Sequence, residues 1–213
     1  METPLDKYLR THSTPQSEAL AWLERQTNIR TNYPRMLSGA VQGRLMTMLV
    51  RMTGARDILE IGAFTGYSSI CMAYGLADGG HIDTLEINDE LEDLIMEGFQ
   101  RAGVSDRITL RIGDAKDTLS KLLAEDRQYD FVYIDANKRE YCDYYEPVLQ
   151  MLRPGGCILA DDVLWDGKPY QEPVPQDKQT QGIVRFNDMV ASDPRVETVL
   201  LPLRAGLSIT VKL

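Results

Sequence analysis

From Arg56 onward the sequence alternates short apolar segments with amphipathic ones, and this alternation restricts the possible folds more than any other feature. Each apolar segment has the length and composition of a buried strand, and the amphipathic segments between them repeat their apolar residues at helical spacing. The predicted strands are 58–61, 82–87, 108–112, 131–134 and 157–160. Buried strands separated by helices predict a parallel sheet with helices on both faces.

The end of the chain follows a different pattern. After a predicted helix at 183–190, two further strand-like segments occupy 196–203 and 207–213, with Ala205 and Gly206 between them. This link is too short for a parallel crossover, so the two segments should form an antiparallel hairpin. We therefore predict an α/β fold of one domain, 1–213, with a seven-stranded, mostly parallel sheet that ends in an antiparallel hairpin.

The first fifty residues contain predicted helices only. Leu20 and Leu23 lie on one side of the second helix. Helical spacing predicts a buried face on the third helix, formed by Val41, Leu45, Met48, Leu49 and Met52. We expect residues 1–52 to form a helical segment that covers the functional site.

Charge and composition argue against several classes of protein. A net charge of -9 over 213 residues disfavours binding to nucleic acid, although a local basic patch remains possible. The three cysteines form no C-x-x-C pair, which is typical of small buried side chains in a reducing compartment. The first residues are polar, unlike a signal peptide, and no apolar run approaches the roughly 20 residues of a membrane span. These features predict a cytoplasmic protein that does not enter a membrane.

A glycine-containing turn, Glu60–Ser68, follows the first predicted strand. Gly62 and Gly66 allow the backbone to pass close to a ligand, although their G-x-x-x-G spacing is weak evidence by itself and lacks the G-x-G-x-x-G of dinucleotide-binding folds. Glu86 ends the second strand, where a carboxylate can accept hydrogen bonds from both hydroxyls of a ribose. Asp114 and Ala115 follow the third strand, where the adenine edge would lie. Together these strand ends predict a ligand that carries an adenosine group.

Three acidic residues follow the next two strands: Asp135 after the fourth, and Asp161 and Asp162 after the fifth. Carboxylates that converge in a cleft repel one another, and a divalent cation would relieve that repulsion. Oxygen ligands favour Mg²⁺, with Mn²⁺ or Ca²⁺ as alternatives. The competing interpretation is that one or two of these aspartates cap loops or helices.

Lys138 lies three residues beyond Asp135. Beside a metal ion its charged form would be disfavoured, so we expect a lowered pKa and the role of general base. Without the aspartates, Lys138 would be interpreted as an ordinary surface lysine.

These motifs resemble the cation-dependent O-methyltransferases, the group that includes caffeoyl-CoA and catechol O-methyltransferases and small bacterial relatives. The resemblance covers about 33–213 and is carried by 59–68, 134–138, 160–165 and 200–203. It implies a Rossmann-like class I methyltransferase fold, S-adenosylmethionine as cofactor, Asp135, Asp161 and Asp162 as metal ligands, and Lys138 as catalytic base. The cofactor contacts that it implies are Met36, Ser38, Glu60, Gly62, Tyr67, Ser68, Glu86, Asp114, Ala115 and Asp135.

Two positions depart from the family pattern. The family usually has Asp-Asn where this chain has Asp161-Asp162, and the additional carboxylate adds negative charge to the site. The family commonly has a Gly-Asp-Gly turn where this chain has Arg204, Ala205 and Gly206. The second departure affects the local wall of the pocket rather than the fold.

The resemblance implies an acceptor that is a small hydroxylated aromatic molecule, such as a catechol, and an enzyme that is often a homodimer. A polar loop at 166–181 is expected to form a lid, with Trp165 and Tyr170 beside the acceptor. An alternative within the family is methylation of a hydroxylated uridine in tRNA, to which Arg35, Arg44, Arg51 and Lys168 could contribute. An NAD-dependent dehydrogenase and a non-catalytic cofactor-binding module are the alternatives of other classes.

Overall fold

The computed structural model describes residues 3–213, so the first two residues of the predicted domain lie outside the described residues. Eight α-helices run in chain order: α1 Pro4–Thr11, α2 Glu18–Arg30, α3 Gly39–Thr53, α4 Tyr67–Ala73, α5 Glu92–Ala102, α6 Ala115–Ala124, α7 Tyr141–Met151 and α8 Lys178–Ser192. Seven strands accompany them: β1 Asp57–Ile61, β2 His81–Glu86, β3 Ile108–Ile112, β4 Tyr129–Ile134, β5 Leu152–Asp161, β6 Val196–Leu201 and β7 Leu207–Lys212.

The strands form one sheet in the order β3-β2-β1-β4-β5-β7-β6. Strands β1 to β5 pair in parallel, whereas β7 lies antiparallel between β5 and β6. The predicted mostly parallel sheet with a terminal hairpin is therefore confirmed. The strand order reverses between β1 and β4, and an open α/β sheet binds its ligands at the carboxyl ends of such strands.

Helices cover both faces of the sheet, as predicted. On one face, Leu23 of α2, Met46 of α3 and Phe99 of α5 belong to one buried core. On the other face, Leu119 of α6 and Phe186 of α8 belong to a second. Alternate residues of the strands point to the two cores, which fixes the sheet between the layers.

The predicted apolar face of α3 is buried only in part, with Leu45 and Leu49 packed against the core. Met48 and Met52 are 50% and 77% exposed, and the buried residues are instead Gln42, Gly43, Met46, Thr47 and Val50. A Cβ on Gly43 would lie 2.7 Å from Cys71 Sγ, and the Thr47 hydroxyl donates to the Cys71 carbonyl at 2.7 Å. Small and polar residues therefore make the contact between α3 and α4, and apolar periodicity does not detect such a contact.

The predicted lid loop is shorter than expected. A 3-10 segment occupies Trp165–Tyr170, and α8 begins at Lys178 because the Asp177 carboxylate accepts from the Thr180 backbone N–H at 3.0 Å. The last predicted residues of the loop are thus the first turn of a helix. Among residues 3–213, no helix has the length and apolar character needed to span a membrane.

Candidate active site

A cavity of about 550 Å³ opens at the carboxyl ends of the parallel strands. One end is lined by Gly62, Phe64, Glu86, Asp114 and Ala115, which follow β1, β2 and β3. The other end is lined by Met36, Asp135, Lys138, Asp162, Trp165 and Gln179. The structure therefore brings the two predicted groups of strand-end residues into one cavity.

Gly62 and Gly66 are required by their protein neighbours. Gly62 has a φ of +100°, and a Cβ there would lie 2.1 Å from the Asp135 carbonyl oxygen. Gly66 has a φ of +84°, and its Cβ would lie 2.7 Å from a ring carbon of Phe99. Backbone in this region is accessible mainly to glycine. The turn therefore brings β1 against the end of β4, in addition to leaving space for a ligand.

Glu86 is held at the cavity wall by backbone groups. Its two carboxylate oxygens accept from the N–H groups of Phe64 at 2.7 Å and Asn88 at 2.9 Å. Burial raises the pKa of Glu86 above its ordinary value, although these backbone bonds oppose the shift. Asp114 caps α6 by accepting from the N–H groups of Lys116 and Asp117. The first turn of α6 is thereby fixed with Ala115 at the cavity wall.

Three predicted cofactor contacts lie behind the glycine turn and do not line the cavity. Glu60 is fully buried and accepts from the hydroxyls of Ser69 and Thr84, the latter at 2.6 Å. Burial raises the pKa of Glu60 to about 7. Ser68 is buried beside Glu60, and the Tyr67 hydroxyl donates to Gln16 at 2.6 Å. Their roles in cofactor binding remain predictions.

Asp161 lies beneath the cavity wall. One carboxylate oxygen accepts from Gln42 Nε2 at 2.5 Å and from the Tyr133 hydroxyl at 2.8 Å, and the other accepts from the Asp162 N–H at 2.8 Å. Burial raises the pKa of Asp161 to about 6, and the nearby charges of Asp135 and Asp162 add to the shift. Sequence reasoning missed Gln42 and Tyr133. A period of two links Tyr133 to Asp135, but the sequence gives no signal for Gln42.

Lys138 has a raised pKa in this structure, and the lowered pKa expected beside a metal ion and a cofactor stays a prediction. The side chain is buried, and Nζ donates to Asp135 at 2.7 Å and to the Tyr141 hydroxyl at 2.9 Å. It also lies 3.1 Å from an Asp162 oxygen. Burial alone would lower the pKa of Lys138, but the two carboxylates overcome that effect and raise it well above its ordinary value. Lys138 is thus a protonated side chain that bridges two aspartates.

The three aspartates are not assembled as a metal cage in this arrangement. Within residues 3–213 no group of three or more His, Cys, Asp or Glu side chains is arranged to hold a metal ion. The oxygen donors nevertheless suit a hard cation, and Asp135 and Asp162 already share a positive charge, that of the Lys138 ammonium. The donor set therefore fits a cation that binds in competition with Lys138.

The two residues predicted to contact the acceptor are placed differently. Trp165 lines the cavity beside Asp162, whereas Tyr170 is 70% exposed and lies outside the lining. Asp162, Trp165 and Asp166 all have positive φ values, of 59°, 38° and 54°. Backbone strain of this kind is concentrated at functional loops in proteins. The loop after β5 therefore carries both the acidic rim and the aromatic wall.

Of the described part of the N-terminal segment, only the stretch around Met36 and Ser38 reaches the cavity. Met36 lines the cavity, and Ser38 Oγ lies 3.5 Å from the Tyr133 hydroxyl. The Arg204 guanidinium donates to the Ser38 carbonyl and, at 3.5 Å, to that of Arg35. The turn that departs from the family pattern thus holds this part of the segment in place.

Two of the arginines considered for RNA binding have structural partners. Arg44 donates to the Pro15 carbonyl at 2.8 Å, and Arg51 donates to the Tyr74 carbonyl at 3.0 Å. Lys168 lies over the Trp165 ring, with Nζ 5.7 Å from the ring centroid. These contacts support the fold and the cavity wall.

Comparison with known proteins agrees with the fold and the cavity. The family model described as O-methyltransferase matches residues 10–213. Caffeoyl-CoA O-methyltransferase 1 of Eucalyptus globulus is 34% identical over 82% of this chain and 74% of its own length. Catechol O-methyltransferase domain-containing protein 1 of Mus musculus is 35% identical over 100% of this chain and 81% of its own.

A solved structure gives the same result. The O-methyltransferase of Bacillus cereus, determined in complex with SAH, superimposes with a TM-score of 0.92 and 33% identity over 100% of this chain and 98% of that one. The chain spans 65% of the length of tricin synthase 2 from Oryza sativa and 81% of the length of the Mus musculus relative. The chain belongs to the O-methyltransferase family, whose members are enzymes that transfer a methyl group to oxygen. This confirms the family resemblance and excludes the dehydrogenase alternative.

Proposed function

We propose that the protein uses S-adenosylmethionine to methylate one hydroxyl of a catechol-like small molecule. The observation that carries the proposal is a single cavity with Glu86 at one end and the Asp135–Lys138–Asp162 cluster at the other. The Bacillus cereus relative binds SAH, the product that S-adenosylmethionine becomes after it loses its methyl group. The caffeoyl-CoA O-methyltransferase relative supports a phenolic acceptor.

The cofactor would extend along the cavity from Glu86 to Asp135. The Glu86 carboxylate is fixed by two backbone N–H groups, so its remaining lone pairs are oriented to accept from two ribose hydroxyls. Ala115, at the start of α6, would lie beside the adenine. This orientation would direct the sulfonium methyl toward the end that carries Lys138 and Trp165.

At the acceptor end, Asp135 and Asp162, with Asp161 behind them, would hold Mg²⁺, or alternatively Mn²⁺ or Ca²⁺. When bound, such a cation would supply a Lewis acid that lowers the pKa of an acceptor hydroxyl. With the cation in place of its ammonium between Asp135 and Asp162, Lys138 in its neutral form would receive the proton of the hydroxyl that reacts. The oxygen then forms a bond to the methyl carbon while the carbon–sulfur bond breaks, and the sulfur retains that electron pair. Because both reactants lie in one cavity, positioning would supply much of the rate acceleration.

The test is methyl transfer from S-adenosylmethionine to catechol, a caffeoyl thioester and undermodified tRNA, with Mg²⁺ and with excess chelator. We expect methylation of the diols with Mg²⁺, loss of activity in chelator and recovery when Mg²⁺ is restored. Lys138→Met should lower kcat about 100-fold while cofactor affinity stays within about threefold. Lys121→Met, on the exposed side of α6, is the matched control. Full activity in excess chelator would exclude the metal, and methylation of tRNA alone would replace the small-molecule acceptor.

We also propose that the enzyme is a cytoplasmic homodimer. Several apolar side chains of the N-terminal helices are exposed, including Leu5 at 64%, Tyr8 at 61% and Met52 at 77%. Exposed apolar side chains concentrated in one part of a chain suit a protein interface. Light scattering at micromolar concentration should give twice the chain mass, and Tyr8→Glu with Met52→Glu should reduce it to that of one chain.

A further inference from the structure

Two polar atoms in the wall of the acceptor end lack a hydrogen-bond partner. Trp165 Nε1 and Gln179 Oε1 are both inaccessible to solvent, and neither has a partner within residues 3–213. Both residues line the cavity. A buried donor or acceptor that stays unpaired is unfavourable, so such atoms in a cavity wall indicate where a bound molecule supplies the missing partner.

The two residues belong to segments that contact the Lys138–Asp162 pair. The backbone N–H of Trp165 donates to the Asp162 carbonyl at 3.1 Å, so the turn that carries Trp165 begins at the acidic rim. On α8, a Cβ on Gly182 would lie 2.4 Å from the Lys138 carbonyl oxygen, so this helix packs closely against the turn that carries Lys138. Gln179 precedes Gly182 by three residues and therefore lies on the same side of α8.

The chemistry of the two atoms selects the group that satisfies both. The indole Nε1–H can only donate, and the amide Oε1 can only accept. A carboxylate cannot donate to Gln179, and the charges of Asp135 and Asp162 would repel it. An ammonium group cannot accept from the indole. A hydroxyl can accept from Trp165 and donate to Gln179 at the same time.

We propose that Gln179 and Trp165 form a specificity subsite for a further hydroxyl on the acceptor, in addition to the two adjacent oxygens of the diol. This inference rests on the proposed function, because it concerns another hydroxyl on the same acceptor that carries the methylated diol. An acceptor without that hydroxyl leaves both wall atoms unpaired. Sites built to hydrogen-bond a substrate hydroxyl reject analogues that lack it much more strongly than apolar pockets reject a change in size.

The experiment uses acceptor pairs that differ by one hydroxyl: pyrogallol with catechol, and 3,4-dihydroxybenzyl alcohol with 4-methylcatechol. For wild type, kcat/KM should favour the hydroxyl-bearing member of at least one pair about tenfold or more. Gln179→Met, which keeps the length of the side chain and removes its amide, should reduce that ratio to about twofold. Trp165→Phe, which keeps an aromatic ring and removes the N–H, should lower the ratio in the same pair.

The matched control is Gln181→Met, two residues further along α8. The Gln181 amide donates to the Pro175 carbonyl at 3.0 Å and does not line the cavity, so its loss should leave the ratio unchanged. Melting temperatures and SAH affinity are measured for all variants. An unchanged ratio in Gln179→Met, an equal loss for both members of each pair, or a wild type without preference would overturn the subsite and leave the proposed function intact. Failure of wild type to methylate any diol would overturn both.

Discussion

The two ends of the cavity are built from different kinds of contact. At the end that contains Glu86, the contacts run from side chain to backbone. Most are short in sequence, such as Glu86 with Asn88 and Asp114 with Lys116, and the longest joins Glu86 to the Phe64 N–H across 22 positions. At the other end, side chains bond one another, and some of the contacts span long separations in sequence. Gln42 reaches the Asp161 side chain across 119 positions, and the Arg204 side chain reaches the backbone carbonyl of Ser38 across 166.

This difference determines what each end tolerates. Contacts to backbone N–H groups persist when the neighbouring side chains change, provided that the turn keeps its path. A network of side chains loses a partner with each substitution and leaves a buried polar group unpaired. We therefore expect the Glu86 end to be sensitive to its glycines and the acidic end to be sensitive to its polar side chains.

The largest effect is expected where the two ends meet, at Gly62. In Gly62→Ala the new Cβ would overlap the Asp135 carbonyl oxygen, and alanine is strained at a φ of +100°. We expect the free energy of unfolding to fall by about 3 kcal/mol or more, measured by urea denaturation.

Gly79→Ala is the matched control for Gly62→Ala. Gly79 also has a positive φ, of +72°, but its added Cβ would meet no atom within 4 Å. Gly79→Ala should therefore lower the free energy of unfolding by only about 1 kcal/mol, because only the backbone conformation is strained. Equal losses in the two variants would show that the contact with Asp135 is unimportant.

The next prediction concerns Glu60, which is buried behind the glycine turn. Burial raises the pKa of Glu60 to about 7 from an ordinary value of 4.5, so between these values the folded state binds more protons than the unfolded state. The contribution of Glu60 to stability is present at low pH and declines as the pH rises from about 4.5 to 7. Glu60→Gln removes this titration. Its stability relative to wild type should improve by up to about 3 kcal/mol between pH 4.5 and 8.

The comparison is made by thermal or urea unfolding of both proteins across that pH range. Glu125→Gln, on an exposed position at the end of α6, controls for the change in net charge and should track wild type. A difference between Glu60→Gln and wild type that stays constant with pH would show that Glu60 keeps the same protonation in the folded and unfolded states.

The same difference between the ends explains what sequence reasoning could recover. The parallel strands, the terminal hairpin and the Glu86 end follow from local patterns, because a strand, its turn and the next helix are contiguous in the sequence. Gln42 and Arg204 act on groups more than a hundred residues away, and a polar residue in a helix or a turn carries no mark of such a partner. The prediction of the α3 face failed in part for a related reason. A glycine and a threonine, rather than apolar side chains, make the contact with α4.

The Glu86 end can be weakened without changing the acidic end. In Glu86→Gln, an amide NH₂ replaces one of the two oxygens that accept from backbone N–H groups, so the side chain must shift away from Phe64 or Asn88. We expect the Kd for SAH, measured by calorimetry, to rise about tenfold. At saturating cofactor, kcat should change little. A large fall in kcat with unchanged Kd would contradict the separation of the two ends.

The smallest effect tests the long-range contact of Arg204, which joins the hairpin turn to the segment that carries Met36. Arg204→Met removes the donors to the Ser38 and Arg35 carbonyls, so residues 34–38 should open more often. We expect faster amide hydrogen exchange in that segment and an increase of about threefold in the KM for S-adenosylmethionine, with kcat nearly unchanged. Arg204→Lys keeps a donor and should recover part of the loss. Wild-type amide exchange and wild-type KM in both variants would show that other contacts hold residues 34–38. The acidic end would then not depend on the distant side chain of Arg204.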